Sequence, residues 1–124
     1  MSKKLILIVE DDQAIRMIFK LALERKGYDV FAACNGQEAL DLLKNSPLPD
    51  LILLDLMMPV MDGWTFVEAI QAVPDYSDIP FIIVSAYENQ VTHPKGEVLK
   101  RAAGSITKPP RMVDLINKVK ESIG

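Results

Sequence analysis

The sequence predicts an α/β protein built as a (βα)5 doubly wound parallel sheet of five strands. Short apolar runs alternate five times with segments whose apolar residues recur at helical spacing. The strongest runs, LILIV at 5–9 and LILL at 51–54, are continuous in apolar character, which is typical of strands buried on both faces. Strands that alternate with helices favour a parallel sheet with helices on both faces, and right-handed crossovers then leave few topologies.

The first half of the chain contains two strand–helix units. The first helix ends at Gly27, and its predicted inner face consists of Ile15, Ile18, Phe19, Ala22 and Leu23. A weaker strand at 28–33 precedes a helix capped by Asn35, with Glu38 three positions later as in a capping box.

The third helix follows the Asp62–Gly63 turn and is predicted to extend to Pro74. Its apolar positions are Phe66, Ile70 and Val73. The FIIV run at 81–84 is the fourth strand.

The segment that follows the fourth strand is less regular. Pro94 and Gly96 interrupt it, so its helix is expected to begin late, near Lys95. A short strand at 105–107 comes next. The final helix has an apolar stripe formed by Met112, Leu115, Ile116, Val119 and Ile123.

Length and charge limit the possible classes of protein. A chain of 124 residues that is 49% hydrophobic can bury a full core as one domain, 1–124, without metal or disulfide support. The net charge of −3 leaves no large basic surface, so we expect no direct contact with nucleic acid.

The single cysteine and the N-terminal region point to a cytoplasmic protein. Cys34 has no partner for an internal disulfide, which fits a reducing compartment, and we expect it to be a small buried or half-buried residue. The apolar run at 5–9 is too short for a signal peptide, and no window approaches the length of a membrane span. We therefore expect no membrane insertion.

Polar residues follow four of the predicted strands at the point where each strand ends. They are Glu10, Asp11 and Asp12 after the first, Asp55 after the third, Ser85 after the fourth and Lys108 after the fifth. Because the carboxyl ends of parallel strands meet at one edge of a sheet, these groups should converge there. Crowded carboxylates repel one another, and a hard cation such as Mg²⁺ relieves that repulsion.

The same edge has the parts needed for phosphoryl transfer. Asp55 can act as a nucleophile that forms an aspartyl phosphate, while Lys108 and Ser85 hold the transferred group. Each residue alone also has a simpler interpretation. Asp12 fits a helix cap, Lys108 fits a solvated surface charge and Ser85 means little by itself.

Four segments resemble the receiver domain of two-component response regulators. ILIVEDD, LLDLMMPVMDGW, IIVSAY and ITKPP stand in the family's order, and the resemblance covers essentially the whole chain. It implies a single receiver domain, 1–124, similar to chemotaxis regulators, with the flavodoxin-like strand order 2-1-3-4-5. The receiver either stands alone or comes from a larger protein.

The resemblance also implies the roles of individual residues. Asp55 is the phosphoacceptor, Ser85 and Lys108 contact the phosphoryl group, and the Lys108–Pro109 bond is usually cis in the family. Mg²⁺, for which Mn²⁺ can substitute, is held by Glu10, Asp11, Asp55 and the backbone carbonyl of Met57.

The implied partners are proteins. The phosphoryl donor is a phosphohistidine on a sensor histidine kinase or phosphotransfer protein, and the output is a contact with a downstream protein. The chain is then a regulatory protein rather than an enzyme. One alternative is a docking module that is never phosphorylated. Another is an aspartate-nucleophile phosphatase, although the DLM sequence lacks a second acid two residues after Asp55.

Three positions concern switching and water access. Three residues before the lysine the family often has an aromatic residue, whereas this chain has Ser105, for which Tyr87 is a candidate substitute. Met57 and Tyr87 match the side chains that overhang the approach of water to the phosphoryl group. His93, the single histidine, is expected to be an exposed loop residue.

Overall fold

The computed structural model describes residues 3–86 and 93–124. Within these ranges the chain forms five strands, four α-helices and one 3-10 helix. In order they are β1 (Leu5–Val9), α1 (Gln13–Arg25), β2 (Asp29–Ala33), α2 (Gly36–Asn45), β3 (Leu51–Leu54), α3 (Gly63–Gln71), β4 (Phe81–Ser85), the 3-10 helix (Gly96–Arg101), β5 (Gly104–Thr107) and α4 (Met112–Ile123).

The five strands form one parallel sheet in the order β2-β1-β3-β4-β5. The predicted fold class and strand order are therefore confirmed. The chain passes from β1 to β2 on one side of the sheet and then places β3 on the other side of β1. Ligands of such sheets bind where the strand order switches in this way, outside the carboxyl ends of the strands.

Each face of the sheet is covered by its own hydrophobic cluster, because alternate residues of a strand point to opposite faces. The first cluster lies under α2, α3 and the 3-10 helix and includes Leu7, Val9, Ile52, Leu54, Trp64, Phe66 and Leu99. The second lies under α1 and α4 and includes Ile6, Ile8, Phe19, Leu51, Leu53, Leu115 and Val119. Burial on both faces explains why the LILIV and LILL runs are continuously apolar.

Side chains cap the first three helices, at Asp12 and Asn35 as the sequence suggests and at Asp62, where the sequence indicated only a turn. Asp12 accepts the Ile15 N–H at 3.0 Å and Asp62 accepts the Thr65 N–H at 2.8 Å. Asn35 caps α2 by accepting the Glu38 N–H at 2.8 Å. The predicted capping box is displaced by one residue, however, because the Glu38 carboxylate accepts the N–H of Cys34 rather than that of Asn35.

Two predicted helix positions are wrong. Ile18 is 52% exposed, because the inner face of α1 is centred on Phe19 and Leu23, and an adjacent residue lies about 100° round the helix. Helix α3 ends at Gln71, so Val73 lies outside it. The Val73 carbonyl instead accepts the N–H groups of Tyr76 and Ser77 in the following turns.

The segment after β4 begins its helix late, as predicted, but the helix is of the 3-10 type. The Gly96 N–H donates to the His93 carbonyl at 2.7 Å, and the Val98 N–H donates to the Lys95 carbonyl at 3.3 Å. Both bonds span three residues, the spacing of a 3-10 helix. No helix in the described part of the chain is long and apolar enough to cross a membrane.

Candidate functional site

Backbone hydrogen bonds just beyond the strands hold the site residues. The Glu10 N–H donates to the Ala33 carbonyl at 3.0 Å, and the Asp55 N–H donates to the Val9 carbonyl at 2.9 Å. The Lys108 N–H donates in the same way to the Ser85 carbonyl at 3.1 Å. Each bond extends a parallel ladder by one step, so the sheet itself fixes where these three side chains begin.

Three carboxylates meet at this edge of the sheet. One oxygen from each of Glu10, Asp11 and Asp55 lies within 4.8 Å of the others. Glu10 is 2% exposed and Asp55 is 6% exposed, whereas Asp11 is exposed to solvent. Asp12 caps α1 instead, and its N–H donates to the Glu10 carboxylate at 3.1 Å.

Lys108 reaches this cluster from the end of β5. Its ammonium donates a hydrogen bond to the Glu10 carboxylate and lies 3.3 Å from Asp55 Oδ2. The side chain is 16% exposed, so Lys108 is not a solvated surface charge. The Lys108–Pro109 bond is cis, as the family resemblance implies.

Burial governs the electrostatics of the cluster. It raises the pKa of Glu10 to about 7, against hydrogen bonds from Lys108 and the Asp12 N–H and with some help from the charge of Asp55. Burial alone lowers the pKa of Lys108, but the hydrogen bond to Glu10 and the charge of Asp55 outweigh it, so that pKa is raised. The Lys108 ammonium thus lies between two buried carboxylates and partly neutralises both. The carboxylate oxygens of the cluster are the kind of ligand that Mg²⁺ prefers.

Ser85 and Met57 border the same region. Ser85 is the last residue of β4 rather than the first beyond it, and it is 1% exposed. The Met57 N–H donates to Asp55 Oδ1 at 3.4 Å, and the Met57 side chain is 58% exposed. Ser105 is exposed on β5. Tyr87 lies outside the described residues, so its role in switching and water access stays a prediction.

Two residues that support the site could not be recognised from the sequence. The Arg16 guanidinium donates to the backbone carbonyls of Glu10 at 2.8 Å and Asp11 at 3.0 Å. At Gly63 an added Cβ would lie 2.6 Å from the Asp55 carbonyl oxygen and 2.8 Å from Leu56 Cα. The Asp-Gly pair indicated only a turn, whereas the structure shows that the glycine allows α3 to pack against the Asp55 backbone.

Two further residues were interpreted from sequence alone. His93 was expected to be exposed, but it is half-buried and stacks on Trp64. Cys34 is half-buried as expected. Its thiol donates to the Glu38 carboxylate at 3.3 Å, which raises the pKa of Cys34 and disfavours the reactive thiolate.

The family model described as the response regulator receiver domain matches residues 6–120. The chain therefore belongs to the response regulator receiver family of two-component signalling. Two curated relatives are named probable transcriptional regulator ycf27. The chain is 41% identical over 86 residues to the one from Porphyridium aerugineum and 43% identical over 84 residues to the one from Cyanidium caldarium. The matches cover 69% and 68% of this chain but only 34% and 32% of those proteins, so the chain matches about a third of their length.

Solved structures show the same likeness over the whole chain. The chemotaxis protein CheY4 of Vibrio cholerae has a TM-score of 0.87 at 26% identity, covering 98% of this chain and 100% of that one. The receiver domain of a signal transduction histidine kinase from Syntrophus aciditrophicus has a TM-score of 0.83 at 35% identity, covering 97% and 89%. The response regulator TrrA of Thermotoga maritima, solved in complex with Mg²⁺ and BeF, has a TM-score of 0.83 at 29% identity, covering 97% and 99%.

Proposed function

We propose that this chain, as a single receiver domain at 1–124, accepts a phosphoryl group on Asp55 and thereby changes its binding to a downstream protein. The donor is a phosphohistidine on a sensor histidine kinase or phosphotransfer protein. One observation carries the proposal. The nearly buried Asp55 carboxylate lies 3.3 Å from the Lys108 ammonium and within the carboxylate cluster of Glu10 and Asp11.

In the proposed step, an Asp55 carboxylate oxygen attacks the phosphorus of the phosphohistidine. The new O–P bond forms as the P–N bond breaks, and the departing imidazole takes up a proton. Lys108 neutralises charge on the phosphoryl oxygens, and the Ser85 hydroxyl donates a hydrogen bond to one of them. Positioning and charge neutralisation are the main contributions that proteins make to this reaction.

Mg²⁺, or Mn²⁺ in its place, would be held by the carboxylates of Glu10, Asp11 and Asp55 and by the carbonyl of Met57. When bound, it supplies positive charge between those carboxylates and the phosphoryl oxygens. The complex of the related TrrA with Mg²⁺ and BeF supports this assignment. Lys108 can turn towards the phosphoryl group once Glu10 has another partner.

The donor is proposed to dock on the exposed face of α1. Met17, Ile18 and Leu21 are each more than half exposed there. A cavity of about 210 Å³ extends from Ile18 to Lys108 and Pro109, so it connects this face with the site. An exposed apolar surface beside a charged site is suited to a protein partner.

The chain is proposed to be regulatory, promoting only its own phosphorylation and dephosphorylation. Its direct output partner is a protein rather than nucleic acid, which the net charge of −3 supports. The curated relatives that are named probable transcriptional regulators are about three times as long as the matched segment, so that name describes much longer proteins.

Labelling tests the function directly. Wild-type protein incubated with a small phosphodonor such as acetyl phosphate and Mg²⁺ should gain one acid-labile phosphoryl group, and Asp55→Asn should gain none. Asp41→Asn, which alters an exposed carboxylate on α2, is the matched control and should label like wild type. Equal labelling of Asp55→Asn would overturn the assignment. No labelling of the wild type would favour the docking module that is never phosphorylated.

A further inference from the structure

The chain just before the 3-10 helix is fastened to the first turns of α3. The His93 ring stacks on the Trp64 indole with centroids 3.9 Å apart and planes 10° from parallel. His93 Nδ1 accepts the Lys95 N–H at 3.0 Å. The Lys95 ammonium donates to Thr65 Oγ1 at 3.0 Å and lies 3.7 Å from Glu68 Oε1. We name these five residues the α3 clasp.

The α3 clasp is attached to the backbone of the phosphoacceptor. Trp64 directly follows Gly63, whose N–H donates to the Leu56 carbonyl at 2.9 Å and whose α-carbon packs against the Asp55 carbonyl. Thr65 is held by the Asp62 cap at 2.8 Å. A shift of the backbone at 55–62 is therefore transmitted to the side of α3 that His93 and Lys95 contact.

The α3 clasp also fixes the position of the 3-10 helix. Among the described elements this helix packs chiefly against α3, and Gln71 of α3 donates to the Val98 carbonyl at 2.9 Å. On β5, Ser105 offers no ring that could pack against this segment. Among the described residues, the contacts to α3 are thus the main structural link between the site and the 3-10 helix.

We propose that the α3 clasp opens when Asp55 is phosphorylated, with His93 and Lys95 as positioning residues that set this equilibrium. The inference rests on the proposed phosphoacceptor function. In the closed arrangement Lys108 lies 3.3 Å from the free Asp55 carboxylate. A phosphoryl group on Asp55 would occupy that space, and the resulting shift of the 55–62 backbone would move the first turn of α3, which carries Trp64 and Thr65. By linkage, a change that weakens the closed clasp must strengthen binding of a phosphoryl mimic.

The experiment titrates Mg²⁺-saturated protein with beryllium fluoride and follows binding by calorimetry, which does not depend on Trp64. The test variants are His93→Ala, which removes the stack, and Lys95→Met, which removes the ammonium contacts but keeps the N–H. Both variants should lower the beryllium fluoride concentration at the midpoint of the titration at least threefold. Their affinity for Mg²⁺ should stay within twofold of wild type. Trp64 is 1% exposed and is left intact, because its replacement threatens folding.

Two further variants sharpen the result. Lys100→Met alters an exposed ion pair with Glu97 on the same 3-10 helix and should leave the midpoint unchanged. His93→Phe keeps a stacking ring but loses the acceptor, so its midpoint should lie between wild type and His93→Ala.

Thermal unfolding of the same variants distinguishes coupling between the α3 clasp and beryllium fluoride binding from simple stabilisation of the fold. A clasp that only stabilises the fold would lower the melting temperature of His93→Ala and leave its midpoint within 1.5-fold of Lys100→Met. That result, or weaker binding, overturns the clasp inference alone. A wild-type protein that does not bind beryllium fluoride overturns both the clasp inference and the proposed function.

Discussion

At the scale of single residues, Met57 bears most directly on the lifetime of a phosphorylated state. Its side chain is 58% exposed, and its N–H donates to Asp55 Oδ1 at 3.4 Å, so the residue borders the site and its thioether contacts solvent. A thioether has no group that can orient an attacking water, and its bulk restricts access. We therefore expect slow self-dephosphorylation.

Replacing Met57 with Asn and Tyr87 with Ser should speed the loss of the phosphoryl group roughly tenfold, a barrier change of about 1.4 kcal/mol. Decay of labelled protein after removal of the donor, in Mg²⁺, measures the rate. Met17→Asn on α1, another exposed methionine, is the control and should decay like wild type. A double variant no faster than wild type contradicts the shielding argument.

The sequence predicted that the acidic residues lie close together. It did not predict which residues contact and stabilise the backbone of the site. Glu10 and Asp55 come together because each directly follows a strand whose apolar run is evident in the sequence, whereas Lys108 follows β5, whose only large apolar residue is Ile106. Arg16 and Gly63 contact backbone atoms, and a sequence does not display which backbone lies nearby. His93 was placed wrongly because its stacking partner, Trp64, is on an element distant along the chain.

At the scale of elements, the first turn of α3 depends on the glycine that lies against the Asp55 backbone. Gly63→Ala places a Cβ 2.6 Å from a backbone oxygen that cannot rotate away, so it should destabilise the fold by about 1–3 kcal/mol and slow labelling of Asp55. Urea unfolding and the acetyl phosphate assay measure the two effects.

Gly36→Ala is the matched control for that change, because the nearest atoms belong to the flexible Met61 side chain, at 2.8 Å. Its cost should stay below about 1 kcal/mol, since alanine favours helix over glycine by a similar amount. If both variants behave alike, the close approach at Gly63 has no special role.

The α1 helix provides a prediction about the donor. Leu21→Asp puts a charge on the exposed apolar face and should slow transfer from a purified phosphotransfer protein roughly tenfold, or about 1.4 kcal/mol. Labelling by acetyl phosphate should not change, because that donor needs no docking face. Leu48→Asp, at a residue 46% exposed and outside α1, is the control. Equal transfer rates for the two variants would place the donor elsewhere.

The elements that the sequence predicted most clearly are those whose residues are most deeply buried. β1, β3 and β4 are buried on both faces, so their runs left little doubt about type or position. The helix after β4 was correctly expected to begin late. Its 3-10 geometry follows from hydrogen bonds that span three residues, which the periodicity of the sequence does not reveal.

At the scale of the whole molecule, the buried carboxyl group of Glu10 makes the stability of the folded protein depend on pH. The folded protein holds the proton of Glu10 more tightly than the unfolded chain, because burial raises its pKa from 4.5 to about 7. This contribution to stability is complete below about pH 4.5 and is lost as the pH rises through about 7. In the absence of divalent cations, the titration of Glu10 should therefore make the protein less stable at pH 8 than at pH 5.

Glu10→Gln should remove that loss. In EDTA at pH 8 the variant should exceed wild type by on the order of 2 kcal/mol, and at pH 5 the difference should be clearly smaller. Urea unfolding at both pH values provides the measurement. Glu24→Gln, an exposed acid on α1, should show no such pH-dependent gain. A gain of equal size at both pH values would contradict the role assigned to burial.

The two hydrophobic clusters lie on opposite faces of the sheet, one under α1 and α4 and the other under α2, α3 and the 3-10 helix. The donor-docking face and the α3 clasp consequently do not overlap. If the proposed donor docks on α1 and the downstream protein binds beside the α3 clasp, the two proteins contact opposite faces of the sheet. We then expect a ternary complex in which the downstream protein binds before the donor dissociates.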